Sequence, residues 1–148
     1  MNKLVGYTGK QACTIVGISY RQLDYWARTD LLRPSIEDAN GTGTKRLYSF
    51  DDLINLKVIK QILDAGISLQ SARRVLECLE KASFGEIARC SVVVSSDTAV
   101  LAYRDDDIVD LVKGGQGVLN ILPLAQLVSN VATQVKIIDS QLSNSVNL

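Results

Sequence analysis

The chain has 148 residues, 47% hydrophobic and 22% charged, which is long enough to bury a core and too apolar to stay disordered. Its formal net charge is zero, but residues 1–82 carry twelve basic and nine acidic groups while residues 83–148 carry four and seven, so only the first half suits a polyanionic partner. There is no histidine, and Cys13, Cys78 and Cys90 form no C-x-x-C pair, which excludes the common zinc spacings and histidine-based catalysis.

In chain order, Gly9 to Val16 reads as a short helix with Ala12, Ile15 and Val16 on its apolar side and Gly17 as its breaker. Ser19 is placed to cap a second helix, Tyr20 to Arg28, in which Leu23, Trp26 and Ala27 recur at three-and-four spacing. Two short helices joined by a Gly-Ile-Ser turn make a helix-turn-helix. Pro34 closes that region. The polar, glycine-bearing stretch 35–44 and a strand over Arg46–Phe50 then read as a β-hairpin. Ser49 or Asp51 caps a third helix to about Ala65, with Leu53, Leu56, Ile59, Ile62 and Leu63 inward, and Gly66 stops it. Ser68 opens a fourth, to about Lys81, with Leu69, Ala72, Val75, Leu76 and Leu79 inward.

Beyond Ser83 the pattern turns β-rich, and Ser91 to Tyr103 predicts a hairpin about a Ser-Asp-Thr turn. A short helix over Asp105–Val112, ended by Gly114-Gly115, and a strand over Val118–Leu122 follow. From Pro123 onward Leu124, Val128, Val131, Val135, Ile138 and Leu142 are spaced 4, 3, 4, 3 and 4, an a/d seam. A seam of this kind packs either on its own domain or on a second copy. The preceding segments offer it little core, so a homodimer is expected, with these six residues as the dimerisation face. The fold class expected is α+β, mostly helical: a winged helix-turn-helix of four helices and a β-wing over residues 5–82, then a small α/β segment and a C-terminal helix over 83–148.

Gly17-Ile-Ser-Tyr-Arg-Gln-Leu-Asp-Tyr-Trp26, Leu31-Leu-Arg-Pro34, Arg46-Leu-Tyr48 and Asp52-Leu53 resemble the MerR family in order and spacing. That family's usual string runs G-V-S, L-R-Y-Y, G-L-L-x-P, a wing, R-x-Y and an acidic residue opening the third helix. The resemblance covers about Tyr7 to Lys81. The Tyr-Arg-Gln-Leu-Asp-Tyr-Trp version and the short C-terminal module resemble a small subgroup found in actinobacteria. One departure is plain: Asp24 stands where the family often has arginine, so contacts usually given to that arginine do not carry over.

The resemblance implies a dimeric regulator of transcription that sets two recognition helices in successive major grooves of double-stranded DNA, with RNA polymerase at a promoter as a further partner. Independently, Ser19, Tyr20 and Arg21 stand at the N-terminal end of the second helix, where side chains and backbone N–H groups can meet base edges and phosphates. Arg21 is the candidate for a guanine contact, since a guanidinium can donate to both N7 and O6. Tyr25 and Arg28 are placed for the DNA backbone. Thr42, Thr44, Lys45 and Arg46 of the wing are candidates for phosphates. Tyr48 has two readings, phosphate contact or core packing with its hydroxyl at the surface.

The cysteines read as buried small hydrophobes, with thiol sensing by Cys78 or Cys90 as the other possibility. No metal site, cofactor or enzymatic activity is expected. Asp105-Asp106-Asp107 reads as an acidic helix start, and Gly114-Gly-Gln-Gly117 lacks the setting of a nucleotide fingerprint. The N-terminal stretch lacks the apolar run of a secretory leader, and no segment approaches a membrane span, so a cytoplasmic protein is expected. Two other functions fit the same residues: an architectural or partition-type DNA-binding protein with little sequence preference, and a protein-interaction adaptor whose head no longer binds DNA.

Overall fold

The computed structural model describes residues 6–38, 46–95, 99–102 and 120–146. The fold is α+β and mostly helical. Strand β1 (Tyr7–Thr8) leads into α1 (Gly9–Val16) and α2 (Tyr20–Arg28), followed by β2 (Leu47–Tyr48), α3 (Phe50–Asp64) and α4 (Leu69–Glu80). A single turn of helix, α5 (Phe84–Ile87), precedes β3 (Ser91–Val94), β4 (Ala99–Ala102), β5 (Asn120–Pro123) and the long α6 (Leu124–Val146). The helix predicted over 105–112, with its acidic start and its glycine stop, lies outside the described residues.

By internal packing the chain divides into two compact units, residues 1–60 with 130–148, and residues 61–129. In the first unit, α1 starts at a capping box. Thr8 Oγ1 accepts from the Gln11 N–H at 3.2 Å, and Gln11 Oε1 accepts from the Thr8 N–H at 3.0 Å. Gly17 ends the helix at φ +83°, a left-handed conformation that a side chain would strain, and its N–H donates to Cys13 O at 2.8 Å. Lys57 Nζ donates to the Val16 carbonyl at 3.3 Å, occupying one of the acceptors left over at the end of α1. Ala12, Ile15 and Val16 of α1 and Leu23, Trp26 and Ala27 of α2 are buried, as their periodicity predicts, together with Leu53 and Leu56 of α3.

The strand expected over Arg46–Phe50 is shorter than its sequence suggests. Only Leu47 and Tyr48 pair, antiparallel with Thr8 and Tyr7, and Phe50 already belongs to α3. Leu47 also bridges Glu37 across the wing base, with Leu47 N to Glu37 O at 2.7 Å and the return bond at 3.2 Å. Asp52 is the fastener beneath this base. Its Oδ2 accepts from the Ser35 N–H at 2.8 Å, the Ser35 hydroxyl at 2.8 Å and the Ser49 N–H at 2.9 Å, while Ser49 Oγ caps α3 by accepting from the Asp52 N–H at 3.0 Å. Asp52 is only 7% exposed.

In the second unit, Gly66 (φ +80°) ends α3 and Ser68 caps α4 through the Ser71 N–H. Ala72, Val75 and Leu79 are buried, whereas Leu63, Leu69 and Leu76, expected inward, are half-buried. The sheet has the order β4-β3-β5, all antiparallel. Val92, Val93 and Val94 are all buried, so the central strand is covered on both faces, which accounts for its unbroken apolar run. Of the third strand predicted over Val118–Leu122, residues 118 and 119 lie outside the described residues; the strand runs through Asn120–Pro123, one residue past the predicted end, and Pro123 closes it on an edge, where its missing N–H costs no ladder bond.

Four of the six a/d seam residues of α6 are buried within the chain itself. Leu124 and Val128, joined by Leu127, are buried residues of the second unit, and Val131 and Val135 are buried residues of the first. Ile138 is half-buried and the adjacent Ile137 is 45% exposed, while the Leu142 side chain lies outside the described set. Among the described residues no helix is long and apolar enough to cross a membrane.

Candidate nucleic-acid interface

Helix α2 is presented by its own caps. Ser19 Oγ accepts from the Gln22 N–H at 3.1 Å, and Gln22 Oε1 accepts from the Ser19 N–H at 3.2 Å. This reciprocal pair is written in the sequence as Ser19-x-x-Gln22. It commits the Ser19 side chain to capping. Opposite the buried Leu23, Trp26 and Ala27, the residues Arg21, Tyr25 and Arg28 follow each other at spacings of four and three and are all exposed. Tyr25 is 50% exposed and Arg28 63%. Tyr20, 59% exposed, lays its ring over the start of α1, where a Cβ on Gly9 would come within 3.0 Å of Tyr20 Cε2. Glycine at position 9 makes room for that ring.

The wing residues divide. Thr42, Thr44 and Lys45 lie outside the described residues. Arg46 is held inward, 15% exposed, with Nη1 on Asp24 Oδ1 at 2.7 Å and Nε 3.8 Å from Asp38 Oδ1. The second oxygen of Asp24 accepts from Arg28 Nε at 2.8 Å. Hydrogen bonds from Arg46 first and Arg28 second hold the Asp24 carboxyl below the usual carboxylate range, so it stays ionised. Asp38 in turn pairs with Arg33 at 2.8 Å, and Arg33 pairs with Asp30. Sequence reasoning marked Asp24 only as a departure from the family pattern. Its principal partner lies 22 residues away, and no local signal announces the pair.

Tyr48 is fully buried, so of its two readings core packing describes its position, with the hydroxyl inside rather than at the surface. Neither that hydroxyl nor Arg46 Nε has a hydrogen-bond partner among the described residues, and burial pushes the phenol well above its ordinary pKa. Removing an unpartnered buried oxygen removes a desolvation penalty. Tyr48→Phe is therefore expected to leave stability unchanged or raise it by up to about 1 kcal/mol in denaturant titration.

Among the described residues no group of three or more His, Cys, Asp or Glu side chains gathers as a metal site. Cys90 is buried, Cys13 and Cys78 half-buried, and burial pushes all three thiols up, away from the thiolate that metal binding and oxidation need. An apolar cleft of about 80 Å³ in the second unit, lined by Ile62, Ile67 and Ile121 among others, falls well below ordinary small-molecule sites.

Residues 7–79 match the family model for MerR HTH family regulatory proteins. Uncharacterized HTH-type transcriptional regulators from Mycobacterium bovis and two strains of Mycobacterium tuberculosis are each 46% identical over 120 residues, covering 81% of this chain and 53% of the relative. The chain thus spans about half the length of the curated relatives it matches. A solved MerR-family transcriptional regulator from Bacillus cereus is 25% identical at a TM-score of 0.43, covering 56% of this chain and 58% of that one. With their capped second helix and a wing base fastened by Asp52, residues 7–79 of this chain form a helix-turn-helix domain of the MerR type.

Proposed function

We propose that the chain is a sequence-specific regulator of transcription that binds double-stranded DNA as a homodimer. The observation that carries this is the stripe Arg21, Tyr25, Arg28 on α2, exposed and backed by a buried Trp26 within a MerR-type domain. Inserted in a major groove, the start of α2 offers Tyr20 and Arg21 to base edges, with Tyr25 and Arg28 further along for the phosphates. Thr42, Thr44 and Lys45 of the wing supply additional phosphate contacts, and Arg46 and Tyr48 hold the wing's base.

The DNA-binding module is taken as residues 5–82, with 83–148 carrying dimerisation. The first four seam residues of α6 are already buried in the chain itself, so a partner copy meets α6 at its C-terminal part, where Ile137 is exposed and Ile138 half-buried. Two heads held at a fixed spacing read a two-fold related pair of half-sites. The site of action is cytoplasmic, at promoters where RNA polymerase is the neighbouring protein.

The test is selection of duplexes from a random library by the wild-type protein, then titration of the enriched duplex. Arg21→Ala is expected to weaken binding by about 1–3 kcal/mol, roughly 5- to 150-fold, and to relax sequence preference at one position per half-site. Enrichment of no common motif, with retained binding to any duplex, would replace specific regulation by an architectural role. Absence of any DNA binding would leave an adaptor.

A further inference from the structure

We propose that Asp24 is a positioning residue for DNA recognition: through Arg46 it clamps the wing to the recognition helix, fixing where the wing falls on the phosphate backbone. The inference rests on the DNA-binding reading above. Six charges of alternating sign, Arg28, Asp24, Arg46, Asp38, Arg33 and Asp30, form one run of ion pairs from α2 to the wing and back to the segment after α2.

The two residues flanking the wing tip are both members. Asp38 is the last described residue going out and Arg46 the first coming back, so both described flanks of the wing belong to the same network. The link to the recognition helix is a close one, 2.7 Å between Arg46 and Asp24, and Arg46 is the most enclosed of the three arginines. Enclosure protects that link from the salt screening that weakens exposed pairs.

An acidic residue on a DNA-facing helix repels phosphate unless its charge is answered. Here each oxygen of Asp24 accepts from a different arginine, and the Arg28–Asp24–Arg46 triad keeps a net positive charge. Among the described residues Arg28 is bound to Asp24 through Nε, a side-on contact that turns its terminal nitrogens away from the carboxylate as donors for a phosphate.

The sign of one substitution separates positioning from simple repulsion. If Asp24 only repels DNA, Asp24→Asn removes a negative charge and tightens binding. Positioning requires the opposite: Asp24→Asn weakens binding of the selected duplex roughly tenfold, and hydroxyl-radical footprinting loses protection at the wing-contacted phosphates while groove protection remains. Arg46→Gln breaks the same link from the other side, so it gives the same footprint, and the double variant binds no more weakly than either single one.

Binding by Asp24→Asn at or above the wild-type level overturns the proposal. So do additive losses in the double variant, which would mean that Arg46 contacts DNA on its own account. Arg21→Ala, measured alongside, keeps the two claims apart. If the wild-type protein itself selects no duplex, the DNA-binding reading has failed and this inference with it, whereas an impaired Arg21→Ala beside an unimpaired Asp24→Asn sinks the inference alone.

Discussion

Replacing Asp52 with alanine is expected to destabilise the protein by about 3–5 kcal/mol, because one nearly buried carboxylate oxygen serves three donors at once. Bonds to a charged acceptor are worth about 1.5–3 kcal/mol each, and alanine would leave the Ser35 and Ser49 N–H groups without their acceptor in a place where water enters poorly. The loss is local in origin. Both N–H groups belong to the wing base and the start of α3, so the wing should loosen before the helices melt. Asp52→Asn keeps an oxygen at the same place without its charge, and the expected cost is roughly half. Urea titration of the two variants checks the order. Equal stability of wild type and Asp52→Ala would show that these bonds are replaced by water at no cost.

Trp26→Ala is the second change with a large expected effect, a loss of about 3–5 kcal/mol, which is a substantial share of the roughly 5–15 kcal/mol that holds an ordinary domain folded. Trp26 is 4% exposed and stands directly behind the exposed stripe of α2. Its carbonyl also accepts from the Leu31 and Leu32 N–H groups at 3.0 and 3.2 Å, so the turn after α2 is built around this residue. Alanine preserves those backbone bonds and removes only the indole, which isolates the packing contribution. The midpoint of thermal unfolding should fall by roughly 6–20 °C. Trp26→Phe, which keeps much of the apolar volume, should fall by clearly less. A midpoint within a degree or two of wild type for Trp26→Ala would mean that α2 is held by its caps rather than by its core.

The four helices of the MerR-type domain were legible because each carries its own punctuation: Ser19, Ser49 and Ser68 at the starts, Gly17 and Gly66 at the ends, and apolar residues at helical period between them. What escaped reading lacks such local signals. Strand β1 is two residues long and exists through its pairing with Leu47 and Tyr48 some forty positions on. Helix α5 is a single turn, too short for a period to show. The heptad spacing of α6 announced that Leu124, Val128, Val131 and Val135 would be buried, but spacing carries no information about what covers them. In the candidate site, the exposed face of α2 followed from the positions of its buried residues. Arg46 did not follow. Its motif position pointed toward phosphate, and only folding shows two carboxylates already holding its guanidinium.

The small sheet has an order of assembly written into its connectivity. Strand β3 finds β4 within a few residues, whereas β5 arrives only after the chain has travelled from Ala102 to Asn120, so closing that second edge costs more chain entropy. The hairpin therefore zips first, and β5 docks late, bringing with it the bond from the Leu124 N–H to the Cys90 carbonyl at 3.0 Å that launches α6. On a ribosome, the backbone groups along that flank of β3 wait in water until the last strand has left the exit tunnel.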